Sequence, residues 1–192
     1  SEMCIRDSID LDILEREVPI TEENPEKSKK GLYKIKDNYI RFWFAFVYPN
    51  MSFIESGNSS IVMKKIRSSL VSGHIAFVYE DVCRERMWEL NGEDRWPFHF
   101  SKIGRWWDGK NEIDIAAIDP DGKNLILGEC KFWHEPVGVN IFNDLVEKSK
   151  SVTWKKADRH TWYVLFSAEG FTDELKTLAQ SRGDLLLFDD IN

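Results

Sequence analysis

Asp114, Glu129 and Lys131 are the residues in this chain whose types and spacing suggest chemistry. Asp114 interrupts the run Glu112-Ile113-Asp114-Ile115, and a carboxylate buried there without a partner would cost several kcal/mol. It calls for a cation. Leu127-Gly128-Glu129-Cys130-Lys131 supplies a carboxylate and an ammonium at alternate positions, which in a strand share one face while Cys130 turns the other way. Two carboxylates on one face suit Mg²⁺ or Mn²⁺, which take oxygen ligands and keep several waters. Such an ion lowers the pKa of a bound water and offsets charge on a phosphodiester oxygen. Lys131, a compact cation, could orient that water or balance charge in the transition state. A cross-strand salt bridge accounts for the same spacing, and spacing alone leaves both readings open.

These side chains need a hairpin to meet. Glu112 to Ile118 and Leu125 to Trp133 read as strands, and Asp119-Pro120-Asp121-Gly122 places Asp, Pro and Gly where a type I turn wants them. Closure with Asp119 opposite Gly122 sets Asp114 opposite Leu127 and diagonal to Glu129, whereas a bulge at Gly122 would slip the register and turn Asp114 away. Phe98 to Ile103 reads as a third strand. Upstream, the pattern from Asn58 to Leu90 is helical with a break near Gly73, and Ile75, Val78, Tyr79, Val82, Met87 and Leu90 share one broad face with Glu80 beside it. Downstream come a helix from Asn140 to Lys156, a strand from Trp162 to Ser167, a helix from Thr172 to Arg182 closed by Gly183 as a left-handed cap, and a strand from Asp184 to Phe188. That order indicates an α/β fold with a mixed sheet flanked by helices.

The N-terminal part reads differently. Asp12 to Ile20 and Gly31 to Ile35 look like two strands of a long hairpin, after which Asp37 can cap a helix running from Tyr39 to Tyr48 and stopping at Pro49. Ser1 to Ser8 resembles a translated cloning adapter and is set aside from fold reasoning, and the chain is expected to be a piece of a longer protein.

The chain has 192 residues, 42% of them hydrophobic, enough to bury a core. Its apolar stretches fall far short of the roughly 20 residues that span a bilayer, so no membrane partner is expected. Cys4, Cys83 and Cys130 have no paired spacing, which fits neither a disulfide framework nor a zinc site and points to a reducing, cytoplasmic setting. A net charge of −7 argues against coating nucleic acid non-specifically. Locally, Lys148, Lys150, Lys155 and Lys156 form a basic segment that suits either nucleic-acid binding or a solvated helix face. His99, His134 and His160 show no two-histidine ligand spacing, although His134 follows Lys131 closely. Trp106, Trp107 and Trp133 suit core packing or stacking on bases of a single strand. Acyl-transfer chemistry is unsupported, since there is no Gly-x-Ser-x-Gly elbow and no histidine adjacent to Cys130 in sequence.

Asp114 followed by Glu129-Cys130-Lys131 resembles the PD-(D/E)XK nuclease superfamily, whose pattern is an acidic residue on one strand, a turn, and Glu-x-Lys on the next. More closely, Asp37 to Pro49, Gly104 to Asp119, Leu127 to Trp133 and Phe166 to Leu175 resemble the uncharacterised C-terminal domain of archaeal and bacterial AAA-type ATPases. The resemblance implies a restriction-endonuclease-like fold at residues 73–192, a helical linker at 37–72, and the tail of a winged-helix domain at 9–36, after the adapter at 1–8. It further implies a metal-dependent DNA endonuclease-like activity, or a catalytically inactive module that binds DNA or regulates its ATPase. By the same resemblance Glu80 completes the metal site from the preceding helix, Glu85 and Glu89 matching less well. No proline precedes Asp114, a departure at the first motif. No Gly-x-x-x-x-Gly-Lys-Ser/Thr loop occurs, so ATP would be bound only by the N-terminal part of the longer protein.

Overall fold

The computed structural model describes residues 2–189, which divide into two compact units: the residues up to Val18 with Asn24–Val78, and Pro19–Glu23 with the residues from Tyr79 onward.

The first unit opens with α1 (Glu2–Asp10) and an antiparallel ribbon of β1 (Leu14–Glu17) and β2 (Leu32–Ile35), paired from Leu14↔Ile35 to Glu17↔Leu32. The strands are shorter than their apolar patterns suggest. Asp37 caps α2 (Asn38–Phe42), its carboxylate accepting the Ile40 N–H at 2.8 Å. The helix then widens into a π turn at Trp43–Val47 and tightens at Tyr48–Asn50 around Pro49. After α3 (Met51–Glu55) and α4 (Ser59–Ser69), the expected break near Gly73 is a second π turn, Leu70–Ile75, leading into α5 (Ala76–Gly92). Phe46, Val62 and Ile66 make a small core here.

The second unit is built on a five-stranded sheet ordered β3-β4-β5-β6-β7. β3 (Lys102–Trp107), β4 (Glu112–Ile118) and β5 (Asn124–Lys131) are antiparallel neighbours, whereas β6 (His160–Ser167) and β7 (Leu185–Phe188) add parallel to β5. The crossovers are α6 (Val139–Ser149) and α7 (Asp173–Ser181). They cover one face with Ile141, Phe142, Leu145 and Leu175 over Ala116, Leu125, Leu127 and Leu165. From Tyr79 onward α5 covers the other face, placing Cys83, Met87 and Leu90 over Ile115, Ile126, Cys130 and Phe166. Helices on both faces of a mixed sheet form the α/β architecture that the element order implies. Among the described residues no helix is long and apolar enough to cross a membrane.

Several expectations are corrected. The strand expected at Phe98 to Ile103 lies further on, at Lys102–Trp107, because the Asn91 amide takes both backbone groups of Phe100, at 3.1 Å each, in place of a ladder partner. The helix expected to reach Lys156 ends at Ser149, whose hydroxyl donates to the Val146 carbonyl at 2.7 Å and lies 3.1 Å from the Tyr163 hydroxyl. Gly183 is no left-handed cap. The chain leaves α7 extended at Arg182, whose guanidinium grips Asp184 at 2.7 and 2.8 Å.

Candidate active site

The hairpin of β4 and β5 decides which side chains meet. The expected turn forms, with the Gly122 N–H on the Asp119 carbonyl and Gly122 at φ 68°, but the strands close later than expected, Ile118 pairing with Leu125. Asp119 makes the longer loop stable. Its carboxylate accepts the Lys123 N–H and the Asn124 amide at 2.8 Å each, and these bonds outweigh burial to hold its pKa below the ordinary value. The register therefore differs from the expected one by two residues, which leaves every side chain on its intended face. The ladder ends at Ile115↔Gly128, one residue short of Asp114 and Glu129.

A bulge does occur, away from Gly122. Gly104 pairs with Ala116 and Trp106 with Ile113, so Asp114 and Ile115 together face the single Arg105. There the Asp114 carboxylate accepts the Cys130 N–H at 2.9 Å, doing the work of a ladder carbonyl where the two strands part. Gly128 fixes the other side of β5, since a Cβ there would collide with Val164 Cγ1 and stand 2.9 Å from the Val164 carbonyl oxygen.

The expected trio is brought together. Lys131 Nζ lies 2.6 Å from Glu129 Oε2 and 3.7 Å from Asp114 Oδ2. Glu129 is buried at 3% exposure, and its other oxygen, Oε1, accepts Lys148 Nζ from α6 at 2.6 Å. Burial would lower the Lys131 pKa, but the charges of Glu129 and Asp114 prevail and raise it. Asp114 is pushed up, first by burial and then by the Glu129 charge, with Lys131 and the Cys130 N–H opposing.

Glu80 approaches electrostatically from α5. Its pKa rises to about 7, first through burial and then through the Asp114 charge, with Arg105 and Arg84 holding it back. Its Oε2 is buried without a hydrogen-bond partner among the described residues, 3.8 Å from Arg84 and 3.8 Å from Arg105. Arg84 is engaged elsewhere, donating to the Asp114 carbonyl at 2.8 Å and to Asp81 at 2.5 Å.

Lys148 is part of the cluster, Lys150 pairs with Glu147 at 2.5 Å, Lys156 donates to the Lys150 carbonyl at 2.6 Å, and exposed Lys155 lies over Trp154 at 5.6 Å. The place of Lys148 was available from spacing, because it follows buried Leu145 by three residues and Ile141 by seven and so shares the apolar side of α6. A lysine there needs a carboxylate. Arg84 and Arg105 carried no comparable signal. His99 packs on the Asn91 carbonyl at 3.0 Å and His160 against Trp162 at 4.7 Å, both away from the cluster.

Among the described residues no three His, Cys, Asp or Glu side chains already stand as a metal-ligand set. The donors nonetheless fit a hard divalent cation. Carboxylates of Asp114 and Glu129 share the end of the hairpin, and Glu80, its Oε2 buried without a hydrogen-bond partner among the described residues, faces the Asp114 charge from α5.

Among solved structures, a repair endonuclease from Pyrococcus abyssi aligns with a TM-score of 0.35 at 17% identity, over 56% of this chain and 46% of that one. The EndoMS complex with double-stranded DNA aligns with a TM-score of 0.30 at 19% identity, over 55% and 43%. Neither score is high enough to bear on function. An uncharacterised protein of Methanocaldococcus jannaschii is 37% identical over 188 residues, which is 96% of this chain, and the chain spans 39% of that relative's length. With residues 43–150 matching its sequence pattern, the chain belongs to the DUF234 family, archaeal and bacterial proteins of unknown function.

Proposed function

We propose that the second unit is a divalent-metal-dependent phosphodiesterase domain that cuts DNA, within a longer cytoplasmic protein that carries an AAA-type ATPase module. The observation that supports it most is the convergence of Asp114, Glu129 and Lys131 at one end of one hairpin, with Lys131 Nζ 2.6 Å from Glu129 and 3.7 Å from Asp114. Asp114 and Glu129, with Glu80 in support, would hold Mg²⁺ or Mn²⁺, and the bound ion would lower the pKa of a water and offset phosphate charge. Lys131 keeps its proton, held by two carboxylates, and so presents a fixed ammonium to a phosphate oxygen or to the attacking water. Lys148 adds a second ammonium beside the same carboxylate. Arg84 braces the strand through the Asp114 carbonyl.

The test is cutting of duplex and branched DNA in Mg²⁺ or Mn²⁺. Asp114→Ala and Lys131→Ala should each lower the rate by about a hundredfold or more. Cutting unchanged in the double variant contradicts the reading.

A second reading draws on the occupied state of Glu129, whose two oxygens each hold an ammonium at 2.6 Å. A charge-satisfied cluster suits a nuclease-fold module that binds DNA or a partner and regulates its ATPase without turnover. It predicts binding with no cutting under any divalent ion.

A further inference from the structure

Trp106, Trp107 and Trp133 differ in their surroundings. Trp106 is 5% exposed and belongs to the core, Trp107 at the end of β3 is half-buried, and Trp133 is 42% exposed. A single exposed aromatic is ordinary on a protein surface. The position of Trp133 is what sets it apart. It follows Lys131 by two residues as the chain leaves β5, and the Lys131 ammonium lies 5.9 Å from its ring centroid. Phe132 between them turns inward against Tyr79, ring centroids 5.4 Å apart, and thereby anchors the segment that carries Trp133. This is the C-terminal end of the parallel strands β5 and β6, where open α/β sheets leave room for ligands.

We infer that Trp133 is a stacking platform for an unpaired nucleobase, so that the substrate presents a single-stranded nucleotide beside the phosphodiester held at Asp114, Glu129 and Lys131. The inference rests on the proposed function for the position of that phosphate. Stacking on an indole face requires a base whose own face is uncovered by stacked neighbours, as in a single strand, and it tolerates any sequence because every base has a π-face. The charge balance points the same way. With a net charge of −7, and with Lys148, Lys150 and Lys156 each held by an intramolecular partner, an aromatic contact next to the Lys131 and Lys148 ammonium groups carries more of the binding. The same ammonium polarises the ring and offsets the charge of an adjoining phosphate.

The experiment is fluorescence anisotropy with a labelled single-stranded oligodeoxynucleotide and a blunt duplex of equal length, in Ca²⁺ to limit turnover. Wild type is compared with Trp133→Ala and Trp133→Phe after circular dichroism shows all three folded. Trp133→Ala should weaken single-strand binding roughly tenfold or more and duplex binding less than about twofold, and Trp133→Phe should recover most of the loss. Unchanged single-strand binding in Trp133→Ala, or equal weakening for both DNAs, overturns the inference. If Asp114→Ala with Lys131→Ala abolishes cutting while Trp133→Ala binds as wild type, only this inference falls. If cutting survives that double variant while the single-strand effect of Trp133→Ala holds, the phosphodiesterase reading falls and the stacking surface stands. No binding to either DNA overturns both.

Discussion

Glu80 is the side chain whose charge is set to change near neutral pH. Folded, it titrates at about 7 against an ordinary 4.5, because burial and then the Asp114 charge disfavour its ionised form. Between those values the unfolded chain gives up a proton that the folded chain keeps, so stability falls as pH rises through the window and stays lowered above it. Glu80→Gln removes this dependence. In EDTA, urea unfolding should show the variant gaining on wild type from about pH 4 to about pH 8, by up to about 3 kcal/mol. Parallel pH curves contradict it. Lys148 gives a second test. Lys148→Ala should bind Mn²⁺ roughly two- to fivefold more tightly by calorimetry, the worth of a partly exposed ion pair, since Glu129 Oε1 is no longer shared. Weaker binding would mean that Lys148 positions Glu129 for the ion. Glu129 and Lys131 were legible as a pair because alternation in a strand assigns their shared face from spacing alone, whereas the place of Asp114 hung on the register between two strands. Arg84 and Arg105 were not, since what they touch depends on how α5 and the bulge lie over β4.

Elements were most legible where the pattern was strong and local. β4 matches its expected bounds, and the turn residues at Asp119 to Gly122 form the turn they suggest. The register was misjudged because the Asp119 carboxylate extends the loop through Lys123 and Asn124, a side-chain effect that turn type does not reveal. β3 was misplaced because Trp96, Phe98 and Phe100 have strand-like apolarity but pack as irregular chain against the α5 side of the sheet. Gly128 is the element-scale test. Gly128→Ala drives a methyl group into Val164 and should destabilise the protein by about 1–3 kcal/mol, read as a lowered urea midpoint. It should also reduce cutting, because β5 carries Glu129 and Lys131. An unshifted midpoint would mean that β6 can yield at this point.

At the scale of the whole molecule, the division into units passes through α5 at Val78, whereas the expected boundary lay at residues 72–73, before the break at Gly73 matured into a π turn. Pro19–Glu23 joins the second unit, with the Ile20 N–H on the Arg105 carbonyl at the outer edge of β3. Sequence continuity with β1 hides this, because a strand pattern does not say which edge it will meet. The acidic balance of the chain sets its response to salt. Of the lysines around the cluster, Lys148, Lys150 and Lys156 each hold an intramolecular partner, so single-strand binding should fall with a log–log slope of only about −1 to −2, each phosphate contact contributing about −0.7. A slope beyond about −4 in an anisotropy series would require a basic face that the ion pairs argue against.

Metal occupancy is the most direct test of the proposed site. Crystals of the protein soaked in Mn²⁺ should show an anomalous peak bonded to Asp114 and Glu129, with Lys148 displaced from Glu129 Oε1. No peak between those carboxylates under saturating Mn²⁺, with both ammonium groups still on Glu129, would contradict a phosphodiesterase site and leave a closed salt-bridge cluster in its place.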